Sequence, residues 1–492
     1  MNLNRKSLLH ISNAEAPEPD YFDLDEKVLQ FGTGVLLRGL PDYFIDKANK
    51  HGLFNGRIVV VKSTGADVSD FESQDSMYTH RICGIADGVA VSQNIINASV
   101  SRVLSAQTHW KEILQCASNA GMQLIISNTT EVGIVFLEEK ITGDGVPASF
   151  PGKLLAFLHE RYSFFKGASD KGMVIVPTEL ITGNGSKLKA IVLLLAQHNN
   201  LGDDFKDWLN ASNYFCNSLV DRIVPGKPAD LQKQSLEKEL GVTDELMIVS
   251  EPYGLWAIET NIKQVKEILS FSKADSGVVI ADDITVFRDL KLRLLNGTHT
   301  FNCGLAFLSG LNTVKEAMDN DYITSFVQTL MTDEITPAIT GGRLTAGDAE
   351  KFSKTVLDRF RNPYIEHKWI NITLQYSSKF SMRCVPLIIN TIQRTGRIPA
   401  LMSLGFAAHI LFMKCEKKQD GKYYGERKGE SYLVTDDNAA FYAEAWKTPD
   451  EVTKIVLSNK EIWKTDLLEL KGLNEKVAGY LHELKNRYES VS

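Results

Sequence analysis

One short stretch of the 492-residue chain holds side chains whose types and spacing suit proton transfer at an oxygen. It is KLRLLNGTH, with Lys291, Asn296 and His299 spaced K-x4-N-x2-H. An α-helix advances about 100° per residue, so the three stand at about 0°, 140° and 80° and share one arc. Leu292 and Leu295 fall inside that arc and make the face partly apolar. Apolar surroundings penalise a charged ammonium and draw a lysine pKa down from about 10.4. A lysine nearer neutrality exchanges protons with a substrate hydroxyl at working pH. Asn296 has amide hydrogens for a developing alkoxide and does not titrate. His299 could donate to or accept from a neighbouring hydroxyl and hold a substrate in register. Alone, each residue also fits a plainer part: a snorkelling lysine, an exposed amide, a core histidine. The joint spacing singles them out.

Such a set needs elements to position it. The first ~285 residues alternate helical stretches with β-rich runs: KVLQF (27–31), RIVVVK (57–62), LIISN (124–128), GMVIVP (172–177), LMIVS (246–250) and GVVIAD (277–282). Continuous Val/Ile/Leu runs suit strands covered on both faces, and their alternation with helices implies βαβ units in a doubly wound sheet. After residue 286 apolar residues recur at helical spacing over 286–318, 321–335, 347–361, 365–394, 396–415 and from Trp446 to Tyr488. The expectation is an α/β chain: a Rossmann-type domain over 1–285, then a mostly α-helical domain over 286–492. The charged run at 416–435 reads as a solvated loop or hairpin.

Between the first two strands lies Gly32-Thr33-Gly34, followed by a helical pattern. Gly32 allows a tight turn, and Gly34 lets backbone approach a pyrophosphate at the helix N-terminus. Leu37 stands where the third glycine of GxGxxG belongs. The second strand ends in Lys62-Ser63-Thr64, without the acid that takes the ribose hydroxyls of NAD. A lysine and two hydroxyls could instead meet a 2′-phosphate, so the expected cofactor is a nicotinamide dinucleotide, with NAD against NADP left open at these residues.

Lys and Arg total 54 against 61 Asp and Glu, a net charge of −7, with 43% hydrophobic and 23% charged residues. This is ordinary globular usage and gives no reason to expect nucleic acid or an anionic membrane as partner. No cysteine lies within four residues of another, and the histidines and carboxylates form no ligand-spaced cluster, so no metal is expected. Scattered thiols, no signal-like apolar stretch, and a longest apolar run of AIVLLLA (190–196) make a cytoplasmic enzyme the default.

With these residues in place, the chain resembles the long-chain mannitol dehydrogenase family of metal-independent, nicotinamide-dependent polyol and sugar-acid dehydrogenases. The matching stretches run its whole length: QFGTGVLLR (30–38), SQDSMYT (73–79), SNTTEVGI (127–134), DKGMVIVPTELITGNG (170–185), LVDRIVPGKP (219–228), LLNGTHT (294–300) and RFRNPYI (359–365). The resemblance implies Lys291 as general acid/base. It implies Asn296 with Asn184 as the oxyanion site, and His299 as the residue that positions substrate. It places Gly32, Gly34, Arg38 and Glu131 on the cofactor side and Asp221 near the substrate. Read as residues alone, Asn184 also fits a turn, Asp221–Arg222 an ion pair and Glu131 a helix first turn.

One departure bears on substrate. The polyol enzymes resemble E-x-x-K before the motif lysine; this chain has Arg288-Asp-Leu-Lys291. A cation one turn before the lysine suits a carboxylate, so the expected substrate is a small sugar acid. Arg361, Lys379 and Arg383 form a second basic cluster that could grip the carboxylate or could equally be a solvated face.

Overall fold

The computed structural model describes residues 1–129, 133–141 and 145–489. Two compact units emerge: Met1–Gly84 with Ala90–Ile284, and Ile85–Val89 with Thr285–Ser492. The excursion at 85–89 is absent from the sequence-based boundary at 285. It is a two-residue turn with Asp87 and Gly88 at positive φ, and its composition carries no domain signal.

The first unit contains, in chain order, β1 (Glu26–Phe31), β2 (Arg57–Lys62), β3 (Tyr78–Ala86), β4 (Val89–Asn97), β5 (Val100–Ser105), β6 (Leu124–Ser127), β7 (Val174–Pro177), β8 (Tyr214–Phe215), β9 (Ser218–Asp221), β10 (Ile248–Ser250), β11 (Leu255–Glu259) and β12 (Val278–Ala281). Six of them form a wholly parallel sheet in the order β5-β2-β1-β6-β7-β8. With β3 and β4 set aside as an insertion, this is the Rossmann order, and the direction of winding reverses between β1 and β6. Ligands of such sheets sit beyond the carboxyl ends of the strands at that reversal.

Side-chain alternation explains the two layers. Leu29, Phe31, Val59, Val61, Ile125 and Ile175 pack with Leu154, Phe157, Leu188 and Leu195 from helices Phe150–Phe165 and Asn184–His198. The alternate residues Val28, Ile58, Val60, Leu124, Ile126 and Val174 pack with Leu37 of α1 (Val35–Gly39) and Phe44 of α2 (Pro41–Lys50). Two expected strands of this sheet lie elsewhere. LMIVS contributes β10 to a sheet ordered β10-β3-β4, and GVVIAD contributes β12 to one ordered β12-β11-β9. A buried apolar run records burial on its faces and carries no label for the strand beside it.

The second unit is helical. Ala400–Phe412, buried from Met402 to Phe412, packs against Thr298–Leu308 and Leu473–Glu489. Thr313 with Glu316 and Thr345 with Asp348 close capping boxes on two helices. The stretch expected as one helical run at 365–394 is Trp369–Ile372, Tyr376–Arg383 and Val385–Thr395. Gln375 enters the left-handed region between the first two. The charged run at 416–435 is an antiparallel meander of β13 (Lys417–Gln419), β14 (Lys422–Arg427) and β15 (Glu430–Val434). Among the described residues no helix is long and apolar enough to cross a membrane. None of the six cysteines is joined in a disulfide, and five of them are buried.

Candidate active site

The motif lies on one unbroken rod. Thr285–Asp289 is α-helical, Leu290–Gly297 is a π-helix, and Thr298–Leu308 returns to α. A π turn bonds residues five apart instead of four. Lys291 and Asn296 are five apart, so the wide turn narrows the angle between them, which a regular α-helix sets at about 140°. Asn296 and His299 are three apart at the return to α geometry, which makes them neighbours. The π segment therefore narrows the arc that the three span. Lys291 and Asn296 are half-buried and His299 is buried.

Hydrogen bonds from a neighbouring helix hold the segment. Arg293 donates to the carbonyls of Met382 (2.9 Å) and Arg383 (3.0 Å). Thr300 Oγ1 donates to Asn296 O at 2.7 Å, and Arg383 donates to Thr300 Oγ1 at 3.3 Å. Tyr376 OH donates to Thr300 O at 2.9 Å.

His299 stacks on Phe360 with ring centroids 4.1 Å apart and meets His367 and Trp369 edge-on. Burial, then the neighbouring His367, Arg359 and Arg383, hold its pKa well below the ordinary value. The ring is neutral, with one donor and one acceptor nitrogen. The pH profile of kcat/KM should accordingly carry no His299 limb near about 6.5. A His299→Asn enzyme should keep the wild-type profile shape and lose amplitude only. A limb near that pH which vanishes in His299→Asn would contradict this.

The same electrostatics locate a cationic cluster. Burial and then Arg383 lower the Lys379 pKa, and burial followed by Arg359 and Lys379 lowers that of His367. A cation lowers the pKa of a basic group near it, and an anion placed between them relieves the repulsion. Lys379, half-buried, donates to Ile372 O at 3.0 Å. Arg359, buried at 7% exposure, acts on both histidines and was passed over in the sequence. Arg359 shares the stripe of Phe352, Val356 and Phe360 in Ala346–Phe360, and that stripe was the signal that could have found it. Arg288 sits half-buried on Thr285–Asp289, one turn before Lys291.

In the first unit the glycine turn follows β1. Gly32 has φ +125, and a Cβ there would stand 2.9 Å from Leu37 Cδ1 and 3.1 Å from Asn128 O. At Gly34 a Cβ would meet open space. Arg38 follows on α1. It donates to Thr33 O (3.3 Å) and to Leu246 O and packs over Tyr78 at 5.3 Å. These contacts brace the turn. Glu131 lies outside the described residues. Lys62 donates to the carbonyl of Asp67.

Asn184 is bonded within the fold. Its side chain is fully buried, and Nδ2 lies within hydrogen-bond distance of the carbonyls of Pro177 (2.9 Å), Glu179 (3.1 Å) and Ser218 (3.1 Å). Oδ1 accepts from Gly185 N and Ser218 N. An amide committed in this way ties β7 to β9 and has no hydrogen left for an oxyanion. Asp221 is buried at the end of β9, opposite Leu255. Its neighbour Arg222 donates to the carbonyls of Glu251 and Gly39. Sequence reasoning passed over Glu179, which is buried beyond β7. It accepts from Thr129 N (2.9 Å), Thr129 Oγ1 (3.0 Å) and Ser127 Oγ (3.2 Å), an arrangement that fixes the carboxyl end of β6. An acid directly after a buried strand was its sequence signal.

Comparison with known proteins gives two domain matches: residues 26–270 to the mannitol dehydrogenase Rossmann domain and residues 283–485 to the mannitol dehydrogenase C-terminal domain. The chain is 37% identical to an altronate oxidoreductase of Halalkalibacterium halodurans, over 92% of this chain and 90% of that one. It is 38% identical to an altronate oxidoreductase of an Enterobacter species, over 92% and 93%. Its fold is similar to that of Pseudomonas fluorescens mannitol 2-dehydrogenase, solved as a ternary complex with NAD and D-mannitol. The TM-score is 0.67 at 22% identity, covering 99% of this chain and 97% of that one.

Proposed function

The chain belongs to the mannitol dehydrogenase family, and from that premise we propose that it is an altronate oxidoreductase, which reversibly reduces tagaturonate to altronate with NAD as redox partner. The observation that carries this reading is the 37–38% identity, over nine-tenths or more of both chains, to relatives of that name. The Lys379, Arg383 and Arg359 cluster beside His299 suits a substrate with a carboxylate.

A dinucleotide fits the glycine turn. Gly32 admits no side chain, and the open space at Gly34 leaves room for a pyrophosphate against backbone amides. Lys62 would have to leave Asp67 O to meet a 2′-phosphate, which favours NAD over NADP. When bound, the nicotinamide supplies the hydride that reduces the ketone carbon. Lys291 gives its proton to the carbonyl oxygen, so the ketone gains hydride and proton and leaves as the alcohol. In the reverse direction Lys291 takes the hydroxyl proton. Asn296, one π turn along, donates an amide hydrogen to the same oxygen as negative charge develops. His299 meets a sugar hydroxyl without adding charge.

NADH oxidation followed by absorbance with tagaturonate, fructuronate, fructose and fructose 6-phosphate tests the assignment. Tagaturonate is expected to have the highest kcat/KM. A preference for fructuronate would move the chain to a sister activity, and a preference for either neutral or phosphorylated ketose would remove the sugar-acid reading.

A further inference from the structure

Beneath the glycine turn lies a buried carboxyl that the mechanism above does not use. Asp42 on α2 and Gln30 on β1 are both fully shielded from solvent. The Gln30 side-chain nitrogen lies 3.4 Å from Gly32 O and 3.3 Å from Asp42 Oδ2. Its approach to a carbonyl identifies that end as the NH2 group, because two carbonyl oxygens would repel. Two oxygens are then left over. Gln30 Oε1 and Asp42 Oδ1 are buried, and neither has a hydrogen-bond partner among the described residues. With an ionised carboxylate both are acceptors and neither serves the other, which is an expensive arrangement in a dry interior. A proton on Asp42 supplies the missing donor.

We propose that Asp42 is held as the neutral acid, with its Oδ1–H donating to Gln30 Oε1, and that this acid–amide pair positions the Gly32 carbonyl in the glycine turn. Asp42 is thus a positioning residue for the cofactor, and this part rests on the dinucleotide reading of the turn. The charged and titratable groups around it come from three elements: Arg38 on α1, Asp46 one turn along α2, and Tyr78 on β3. Arg38 favours the ionised form and Asp46 opposes it, but burial dominates and pushes the carboxyl up to about 8. Asp46 is itself satisfied by Tyr21 OH (2.9 Å), Ala98 N (2.9 Å) and Lys50 Nζ (2.8 Å), so Lys50 does not neutralise Asp42.

The sign of the pH effect follows. The unfolded chain releases this proton near about 4, whereas the native chain keeps it to about 8. The group's contribution to stability therefore falls as pH rises between those values and is level beyond them. Asparagine at position 42 reproduces the neutral acid permanently, since its carbonyl accepts from Gln30 and its NH2 donates to Oε1. Thermal unfolding of the ligand-free protein should show Asp42→Asn gaining on wild type as pH rises from about 5 to about 8, with a constant margin above. A margin that does not change with pH would overturn the proposal. Should the variant fail to fold, the infrared spectrum of the wild type decides. A carboxylic-acid carbonyl band present at about pH 7 and lost above about pH 8 supports the proposal, and its absence at about pH 7 overturns it. Fluorescence titration with NADH tests the positioning. The wild-type Kd should rise several-fold between about pH 7 and about pH 9.5 while that of Asp42→Asn stays flat. Equal pH dependence in both proteins would remove the positioning role. No NADH binding at any pH, with the infrared band intact, would instead strike the dinucleotide reading and leave the protonated pair standing.

Discussion

Replacing Lys291 with methionine is expected to lower kcat by about 10²–10⁴-fold in both directions, the range that loss of a positioned acid/base produces. Methionine keeps the length and apolar stem of lysine, so Arg293 should still reach the carbonyls of Met382 and Arg383 and the π segment should survive. NADH Kd, measured by fluorescence, should stay within about twofold, because the glycine turn belongs to the other unit and is untouched. The proton has few other sources on the rod: Asn296 does not titrate, and His299 is held neutral by burial and its cationic neighbours. A small primary amine added to the Lys291→Met enzyme should restore part of the rate, and the restored rate should scale with the free-base fraction in the oxidative direction. Near wild-type turnover in either direction would sink the assignment, and a loss confined to KM would make Lys291 a binding cation.

The residues of the site were legible in the sequence to different depths. Lys291, Asn296 and His299 were visible as a set, but an ideal helix put Lys291 and Asn296 about 140° apart. The π turn narrows that angle, and the bonds of Arg293 and Thr300 with another helix are tertiary contacts that local spacing does not encode. The Rossmann strands were legible because RIVVVK, LIISN and GMVIVP are buried on both faces. The places of LMIVS and GVVIAD were not, since pairing partners leave no mark on an apolar run. Asn184 and Arg38 show a further limit. Their types suit ligand binding, yet each is taken up by backbone carbonyls that come together only in the folded unit. Arg359 shows the reverse, because the apolar stripe on its helix already pointed inward.

Removing Lys379 is expected to cost about 10–100-fold in kcat/KM for tagaturonate and little for a neutral ketose. A charge-assisted hydrogen bond to a carboxylate contributes about 1.5–3 kcal/mol, and about 1.4 kcal/mol is tenfold. The two substrates share the reacting carbonyl, so the ratio of their losses isolates the carboxylate. Arg383 should behave differently. It donates to Thr300 Oγ1, which in turn donates to Asn296 O, so it stands two hydrogen bonds from the oxyanion donor. Arg383→Met should therefore lower kcat on both substrates as well as raise KM for the uronate. Lys379, tied only to Ile372 O by the bonds above, is the cleaner probe. Lys379→Met should raise KM for tagaturonate and leave kcat nearly unchanged. Arg288→Glu is the control for the rival placement, since it reverses charge one turn before Lys291. If Lys379→Met loses equally on uronate and neutral ketose while Arg288→Glu loses only on the uronate, the carboxylate sits at Arg288 and the cluster around His299 serves the sugar hydroxyls instead.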